Sequence, residues 1–368
     1  VGYEAAASDL YNGVIDHGEF NRRVAEMETN NTDWFGILLR NSFSHNHSLS
    51  ISGGSETVRY YASMGYSDEN GNIRKESNKR YTGMAKLNVN YKNFSMSFSL
   101  NGNLQKKNYT PSEVNLMNYA YNTSRTIKAY TDEGDLWYYQ RHDGNSSAIY
   151  DEPFSILNER DNTYNKINTD QVNLTLFMEY KLRPWLRAST QFSYNVSHSE
   201  NDTYYGENTW YAASLRKFST ITNAIDANKT LLVTGGELRQ NSTKNESYSL
   251  RGQLTFNRYV DRDNEHQVTA SVIGEVNSST YTGSKIVHRG YLPDRGLLFD
   301  KVPIDLVNNK LHYPAYYVWL QSDDARGTLE NNLTRKVGLI ASASYSYRNS
   351  YILNANMRID ASNKFGDA

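Results

Sequence analysis

The sequence predicts an all-β fold, an antiparallel meander of long strands that cross a membrane as part of a β-barrel. Three observations support this fold class. Apolar and polar residues alternate with a period of two in paired runs along most of the chain. Most runs reach the ~9 to 11 residues with which a tilted strand crosses a bilayer. Short turns alternate with long connections, an asymmetry that is typical of outer-membrane barrels.

About ten strands follow one another along the chain. The apolar faces Ala85 to Tyr91 and Phe94 to Leu100 belong to two runs separated only by Lys92 and Asn93. So short a separation predicts a tight hairpin. The other predicted strands lie around 47–51, 58–66, 172–180, 186–196, 248–256, 268–276, 337–347 and 351–359.

The connections differ in length at the two ends of these strands. We assign the short turns to the periplasm and the long connections to the extracellular side. The predicted long connections are 68–78, 108–165, 201–245 and 281–334. Aromatic residues such as Tyr91, Phe94, Tyr180 and Trp185 flank the short turns, and they predict an interfacial girdle because such rings favour the headgroup layer.

Each strand has one apolar face, predicted toward lipid, and one polar face. Leu176 and Leu254 belong to the apolar face, whereas Asn173 and Gln253 belong to the polar one. The charged residues of the polar face predict a wide, watery lumen, since a small packed barrel would struggle to satisfy them. The predicted lumen residues are Lys86, Glu179, Arg187, Arg251, Glu275, Arg358 and Asp360.

A second interpretation fits the same alternation. In a soluble or secreted β-rich adhesin or glycan-binding module, the apolar face would cover a half-buried sheet. Partition into detergent distinguishes the barrel from the soluble module, which would stay in the aqueous phase.

Composition excludes several classes of function. Lys and Arg number 39 against 40 Asp and Glu, so no basic stripe for nucleic acid is expected. The chain has no cysteine, which excludes a disulfide scaffold, a thiol nucleophile and cysteine zinc sites. No nucleophile elbow and no metal-binding helix motif stands out, and we therefore expect that the protein is not an enzyme.

Metal and cofactor candidates are few. His45 and His47 share one strand face, but little else could complete a metal shell, so we predict no metal there. The acidic segments Asp132 to Asp135 and Asp323-Asp324 could hold calcium in an extracellular loop. Neither spells out a recognised calcium loop, so we expect no cofactor and keep loop calcium as the alternative.

Residues 1–44 are predicted to differ from the partial barrel at 45–368. Apolar residues such as Leu10, Val24 and Met27 stand among charges, which predicts one or two short helices. We expect this region to form a periplasmic plug-to-barrel connection and the start of the first strand. A partly ordered terminus is the alternative.

Aromatic clusters in the long connections are the best candidates for contact with a ligand or a lid. Flat rings suit the apolar faces of sugars and also protein interfaces. Packing of the loops on themselves is the alternative. The candidates are Trp137, Tyr138, Tyr139, Trp210, Tyr211, Tyr316, Tyr317 and Trp319.

Several segments resemble a known family. Asn31 to Phe35, Asn46 to Ser55 and Arg59 to Tyr66 resemble the start of the barrel in SusC/RagA-type TonB-dependent transporters. The run Met357 to Gly366 is similar to that family's R-x-D-G-S-S-x-F-G strand end, with alanine and asparagine where glycine and serine are usual. The order and spacing of these segments also match, and the resemblance spans essentially the whole chain.

The resemblance implies a barrel of about 22 strands, of which this chain is roughly the first half. The plug domain, the TonB box and the C-terminal strands would lie outside it. The resemblance further implies active import of an oligosaccharide or peptide across the bacterial outer membrane. A SusD-like surface lipoprotein would cover the long loops, and the TonB-ExbB-ExbD complex would act through the plug. Outer-membrane lipid and the glycan or peptide ligand complete the expected partners.

Overall fold

A computed structural model describes residues 2–141, 152–219, 222–302, 304–305 and 310–364. Phe365 and Gly366, the end of the family-like terminal run, lie outside the described residues. Long β-strands dominate the described part of the chain, which confirms the predicted all-β class.

The strands are numbered in chain order. They are β1 (Ser44–Gly54), β2 (Val58–Asn70), β3 (Ser77–Tyr91), β4 (Phe94–Tyr109), β5 (Tyr139–Arg141), β6 (Glu152–Phe154), β7 (Thr163–Arg183), β8 (Leu186–Tyr205), β9 (Phe218–Ser219), β10 (Ala224–Ile225), β11 (Gly236–Tyr259), β12 (His266–Leu292), β13 (Leu298–Phe299), β14 (Ile304–Asp305), β15 (Lys310–Leu311), β16 (Thr328–Tyr347) and β17 (Tyr351–Ser362).

The long strands form one antiparallel meander in the order β1-β2-β3-β4-β7-β8-β11-β12-β16-β17, with β13 paired to β12 off this path. The longest strands, β11 and β12, contain 24 and 27 residues. Because ~9 to 11 residues cross a bilayer, both strands extend well beyond it. The prediction of about ten long antiparallel strands is therefore confirmed.

Short turns lie at one end of the sheet and longer connections at the other. The short turns are 55–57, 92–93, 184–185, 260–265 and 348–350. The connections at the opposite end, called the loop end below, are 71–76, 110–162, 206–235 and 293–327. The predicted alternation of short and long connections is confirmed.

The predicted bounds of the long connections are wrong, because the strands continue into them. Residues Glu237 to Asn245 were expected in a loop, yet they pair in register with β8 and β12. The same holds for the end of β12 and the start of β16. Both faces are largely polar there, so the period-two signal fades although the backbone ladder continues.

Apolar side chains on one face of the meander form a continuous band across the strands. One row of register partners shows it. The row is Leu87, Phe98, Leu176, Phe192, Leu250, Val276 and Val337. We call the band the apolar belt. It comprises alternate residues of 81–91 on β3, 94–104 on β4, 172–180 on β7, 186–196 on β8, 248–256 on β11, 268–276 on β12 and 337–347 on β16.

The belt is inclined to the strand register. Tyr81 is the belt residue of β3 nearest the loop end, and the register partners across the sheet lead from it to Asn331 on β16. On β16, however, the belt begins only at Val337, further from the loop end. The belt therefore descends by about one residue per strand. With a rise of ~3.4 Å per residue and a strand spacing of ~4.8 Å, this step corresponds to a tilt of about 35°. Outer-membrane strands tilt by a similar angle.

Helices lie mainly in the N-terminal region and at the loop end. They are α1 (Tyr3–Tyr11), α2 (His17–Thr29), α3 (Trp34–Leu38), α4 (Leu116–Asn122), α5 (Ile156–Asp161), α6 (Trp210–Arg216), α7 (Pro314–Trp319) and α8 (Asp323–Arg326), with a 3-10 turn at Pro293–Arg295. Among the described residues, no helix combines the length and the apolar character needed to span a membrane.

The N-terminal region lies at the loop end, away from the short turns. The backbone N–H of Thr32 donates to the carbonyl of Arg125 at 2.8 Å, and the indole of Trp34 donates to the carbonyl of Ser124 at 3.2 Å. Leu39 forms a bridge with Ile73. The predicted helices are present in this region. The region and the short turns were both predicted to be periplasmic, and these two predictions are incompatible because the region and the turns occupy opposite ends of the sheet.

Candidate ligand-contact site at the loop end

The long connections fold around a compact hydrophobic core, called the loop core below. It joins the N-terminal region, the 110–162 connection and the end of β8. Its buried members are Trp34, Leu38, Val114, Leu116, Ala120, Ala129, Phe154, Ile156, Leu157 and Tyr205. Trp34 and Phe154 expose only 3% and 2% of their surface. The core gives the loop end a fixed shape, which a binding site requires.

A cavity of about 230 Å³ opens beside the loop core. Its wall combines carboxylates, amides, aromatic rings and one guanidinium. The lining residues are Glu113, Val114, Asn115, Asn118, Tyr119, Asn122, Thr123, Arg141, Phe154, Ile156, Glu159, Trp210 and Tyr211. An apolar wall with a few convergent polar groups is the usual character of a ligand site.

Two of the predicted aromatic clusters meet near this cavity. Trp210 and Tyr211, the first residues of α6, line it directly. Tyr139 packs on Phe154 with ring centroids 5.4 Å apart, and its hydroxyl donates to that of Tyr119 at 3.4 Å. Both clusters therefore pack within the loops, and Trp210 and Tyr211 also face open space.

The neighbours of Tyr139 point elsewhere. Trp137 is 40% exposed and lies beside Lys128, whose Nζ is 5.9 Å from the ring centroid. Tyr138 is exposed as well. Trp137 and Tyr139 line a second hollow, of about 400 Å³, against helix α2.

The third aromatic cluster lies apart from the cavity. Tyr316, Tyr317 and Trp319 belong to α7, where the ring of Tyr316 packs against both of the others. The guanidinium of Arg289 stacks on Trp319 at 4.0 Å. Tyr316 is buried, so this cluster packs on the end of β12.

A buried charged cluster connects these regions, and we call it the Glu237 cluster. Glu237 accepts hydrogen bonds from Arg239, Arg289 and the hydroxyl of Tyr211, each at 2.8 Å. Arg239 also pairs with Glu113 at 2.6 Å. The side chain of Glu237 is only 1% exposed, so its charge depends on these partners.

The two carboxylates that line the cavity differ in acidity. Partial burial acts to raise the pKa of Glu113, but the neighbouring Tyr205 hydroxyl and Arg239 outweigh it and hold this pKa at about 2. Burial raises the pKa of Glu159, although the backbone N–H groups of Trp210 and Tyr211 oppose that effect. Those two N–H groups donate to its carboxylate at 2.6 and 3.4 Å.

The register places the seven predicted lumen residues on one face of the sheet, opposite the apolar belt. Three of them meet, since Arg358 pairs with Glu275 at 3.1 Å and with Asp360 at 2.7 Å. Arg251 lies directly across the ladder from Glu275. This face also carries the apolar pair Ile273 and Ile340. That it lines a lumen stays a prediction.

The candidate metal positions have other neighbours. The rings of His45 and His47 lie 5.0 Å apart beside Tyr66. Asp132 pairs with Lys128, and Asp324 pairs with Lys285. In the part of the chain that the structure describes, no three or more histidine or acidic side chains gather as a metal site would require.

Sequence reasoning missed Glu237, Arg239, Arg289 and Arg141. The first two were placed in a loop, although their spacing of two residues puts both on one strand face. That spacing could have indicated that both side chains lie on the same face of a strand. Arg289 bonds to Glu237, 52 positions away, and Arg141 contacts Trp210, 69 positions away. No local sequence pattern reveals such distant pairs.

Comparison with known proteins shows which proteins the chain is similar to. No protein-family model matches the chain. The TonB-dependent receptor SusC of Bacteroides thetaiotaomicron is 28% identical over 99 residues, covering 27% of this chain and 10% of SusC. The RagAB peptide importer in its open-open state has a TM-score of 0.64 at 16% identity, covering 92% of this chain and 33% of the importer chain. A second RagAB structure gives 0.63 at 17%, covering 99% and 37%.

The fold and the apolar belt are thus those of a section of an outer-membrane β-barrel. Within that class, the chain is similar to SusC and to RagAB. It spans about a third of the length of the solved RagAB chains that it matches, and its 99 residues that match SusC cover a tenth of SusC.

Proposed function

We propose that the whole protein imports an oligosaccharide or peptide nutrient across the outer membrane, driven by TonB. The observation that carries the proposal is the inclined apolar belt, since a band of exposed apolar side chains at the tilt of an outer-membrane strand suits a barrel wall in lipid. SusC and RagAB, which the chain resembles, are a TonB-dependent receptor and a peptide importer.

The proposal assigns the polar strand face to the lumen and the loop end to the outside of the cell. On this assignment the N-terminal helices are extracellular. Lys86, Glu179, Arg187, Arg251 and the Arg358 ion pairs would line a hydrated passage, where charged groups keep their water. No catalytic step or cofactor is part of the proposal, because gated binding is enough for import.

A SusD-like lipoprotein is the proposed partner at the loop end. The loop core and the Glu237 cluster support a shaped surface there, and aromatic side chains such as Trp137 and Tyr138 stay partly exposed on it. Aromatic residues contribute large contact areas in protein interfaces. The ligand would be held between the lid and this surface, in contact with Trp210, Tyr211 and the α7 aromatics.

Uptake assays test the function. The full-length gene is deleted from its own organism and restored on a plasmid, with and without functional TonB. Uptake of labelled oligosaccharide and peptide pools is then compared. We expect at least one pool to enter only when both the transporter and TonB are present. Unchanged uptake of both pools in cells that lack TonB would contradict the proposal.

Affinity purification tests the partner. The tagged full-length transporter, extracted in mild detergent, is expected to bring down a lipoprotein in near-equal amount. Removal of residues 206–235 from the loop end should abolish this association while the barrel remains in the membrane. Recovery of the transporter alone from intact outer membranes would reject the lid.

A further inference from the structure

Arg141 lies against two aromatic rings at the wall of the 230 Å³ cavity. Its guanidinium carbon lies 4.5 Å from the ring centroid of Phe154 and 4.4 Å from that of Trp210. The indole N–H of Trp210 also donates to the backbone carbonyl of Arg141 at 3.2 Å. The centroids of the two rings are 6.1 Å apart, so the rings cover two adjoining sides of the guanidinium and not its two opposite faces. A guanidinium carries five N–H donors, and the two rings cover only part of them.

The surrounding hairpin fixes this position. Arg141 ends β5, which pairs with β6 so that Tyr139 lies opposite Phe154. Phe154 belongs to the loop core and is almost wholly buried. One of the two stacking rings is therefore anchored, and the arginine is preorganised at little further entropic cost.

The other charges at the cavity already have partners. Glu113 accepts hydrogen bonds from Arg239 and from the hydroxyl of Ser112, at 2.6 and 2.9 Å. Glu159 accepts the backbone N–H groups at the start of α6. Among the described residues, Arg141 is the one basic residue that lines the cavity, and no described carboxylate forms an ion pair with it. Within the described part of the chain, the cavity therefore offers an anion a positively charged side chain that no carboxylate neutralises.

We propose that this cavity binds a ligand carboxylate, with the guanidinium edge of Arg141 as its bidentate donor. This inference rests on the proposed import function and names the ligand chemistry. The carboxylate could be a uronic acid of an acidic oligosaccharide or the free C-terminus of a peptide. Paired N–H groups match the two oxygens of a carboxylate, and such charge-assisted bonds are stronger than neutral ones.

The size of the cavity limits what it admits. Sites for drug-sized ligands span roughly 300 to 1,000 Å³, so this smaller cavity suits one terminal unit of an oligomer. Trp210 and Tyr211 at its wall would contact the apolar part of that unit. The remainder of the ligand would extend away from the cavity.

Matched pairs of probes test the inference on the purified full-length transporter. One pair is trigalacturonic acid and its methyl ester; the other is N-acetyl-tetra-alanine and its C-terminal amide. Calorimetry should show that one acid binds roughly tenfold or more tightly than its neutral counterpart, as expected for charged hydrogen bonds. The pair that shows the preference identifies the source of the carboxylate.

Variants assign the preference to Arg141. Arg141→Gln should remove the preference for the acid, whereas Arg141→Lys should retain part of it because the charge stays and the fork is lost. Arg160→Gln is the matched control, since Arg160 pairs with Asp161 and does not line the cavity. Equal affinity of wild type for acid and neutral probes, or an undiminished preference in Arg141→Gln, would overturn the inference. TonB-dependent uptake of neutral oligomers by the wild-type transporter separates such a failure from failure of the import function.

Discussion

The membrane-crossing part of the sheet and the loop end use large apolar side chains in opposite ways. In the apolar belt, Leu254 and Val272 expose 52% and 51% of their surface. At the loop end, Leu38 and Leu157 expose 0% and 1%. Burial from water stabilises the loop end as it does a soluble domain. The belt makes sense only if lipid covers it, because a continuous exposed apolar band would be a liability in water.

Charged residues show the same contrast. Within the strand ranges that carry the belt, charges lie on the opposite face of the sheet, where Arg358 and its partners stay partly exposed. At the loop end, Glu237 is buried among two arginines and a tyrosine. From this difference we expect that removal of a single charge lowers stability far more at the loop end than on the open strand face.

The largest expected effect follows from Glu237→Ala. It leaves Arg239 and Arg289 without their shared carboxylate, and breaking a buried ion pair in this way costs about 3 to 5 kcal/mol. Hydrogen exchange in α6 and at the start of β11 should accelerate accordingly. Glu246→Ala on the same strand is the control, because Glu246 pairs with Lys244 on the exposed surface. Similar acceleration in both variants would erase the contrast.

The belt has its own test in Leu176→Arg. Leu176 lies midway along the belt on β7, where arginine facing lipid should cost about 2 to 4 kcal/mol. Asn173→Arg on the opposite face should be far milder. Leu254→Arg and Gln253→Arg form a second matched pair on β11. Denaturant unfolding of the full-length protein in lipid vesicles measures both, and equal costs within a pair would reject the assigned facing.

A smaller effect is expected at the edge of the loop end. Asp16 caps helix α2, because its side chain accepts the backbone N–H of Glu19 at 2.7 Å. Asp16→Ala should destabilise this helix by about 1 kcal/mol. Glu28→Ala, in an exposed position on the same helix, is the control. Faster exchange confined to α2 is the expected result, and a change that spreads to β11 would contradict it.

Acid should destabilise the loop end because it protonates Glu113. Its pKa of about 2 in the folded protein lies below its ordinary value of 4.5. The stability that it contributes is complete above pH 4.5 and is lost as the pH falls toward 2. Pepsin cleavage near 110–115 should therefore increase over that range, and Glu113→Gln should flatten the increase. Identical pH profiles for both proteins would exclude this role.

Protonation of Glu159 should have the opposite effect and stabilise the loop end. Burial raises its pKa, so its ionisation costs stability, and the cost is present above the raised pKa and relieved as the pH falls through it. Glu159→Gln should remove this pH dependence while an oxygen remains to accept the N–H of Trp210. A more acid-sensitive variant would contradict the assigned sign.

The sequence predicted the sheet because its information is local. Alternation at Leu174, Leu176 and Met178 reports the facing of each residue without knowledge of its partners. The strand ends near the long connections were missed because neighbouring residues on opposite faces of the sheet, such as Asn241 and Ser242, are both polar. Backbone pairing holds these ends together, and it leaves no mark on the side-chain pattern.

The site was predicted only in part. Trp210 and Tyr211 were candidates because aromatic residues stand out in a polar loop. Their partners Glu159 and Glu237 lie on other elements, and only the fold brings them together. The contacts of residues 1–44 could not be predicted for a similar reason, since the indole of Trp34 donates to the carbonyl of Ser124, 90 positions away.

Spin labels on alternate residues test the lipid-facing belt most directly. This chain has no cysteine. Single cysteines introduced at Leu176, Thr175, Leu250 and Ser249 can be labelled in the full-length protein within a bilayer, once any cysteine outside this chain has been replaced by serine. The labels at Leu176 and Leu250 should be accessible to oxygen dissolved in lipid and shielded from a water-soluble nickel chelate. Those at Thr175 and Ser249 should show the reverse. Shielding from both reagents at Leu176 and Leu250 would mean that the belt is covered by protein and would contradict a barrel wall.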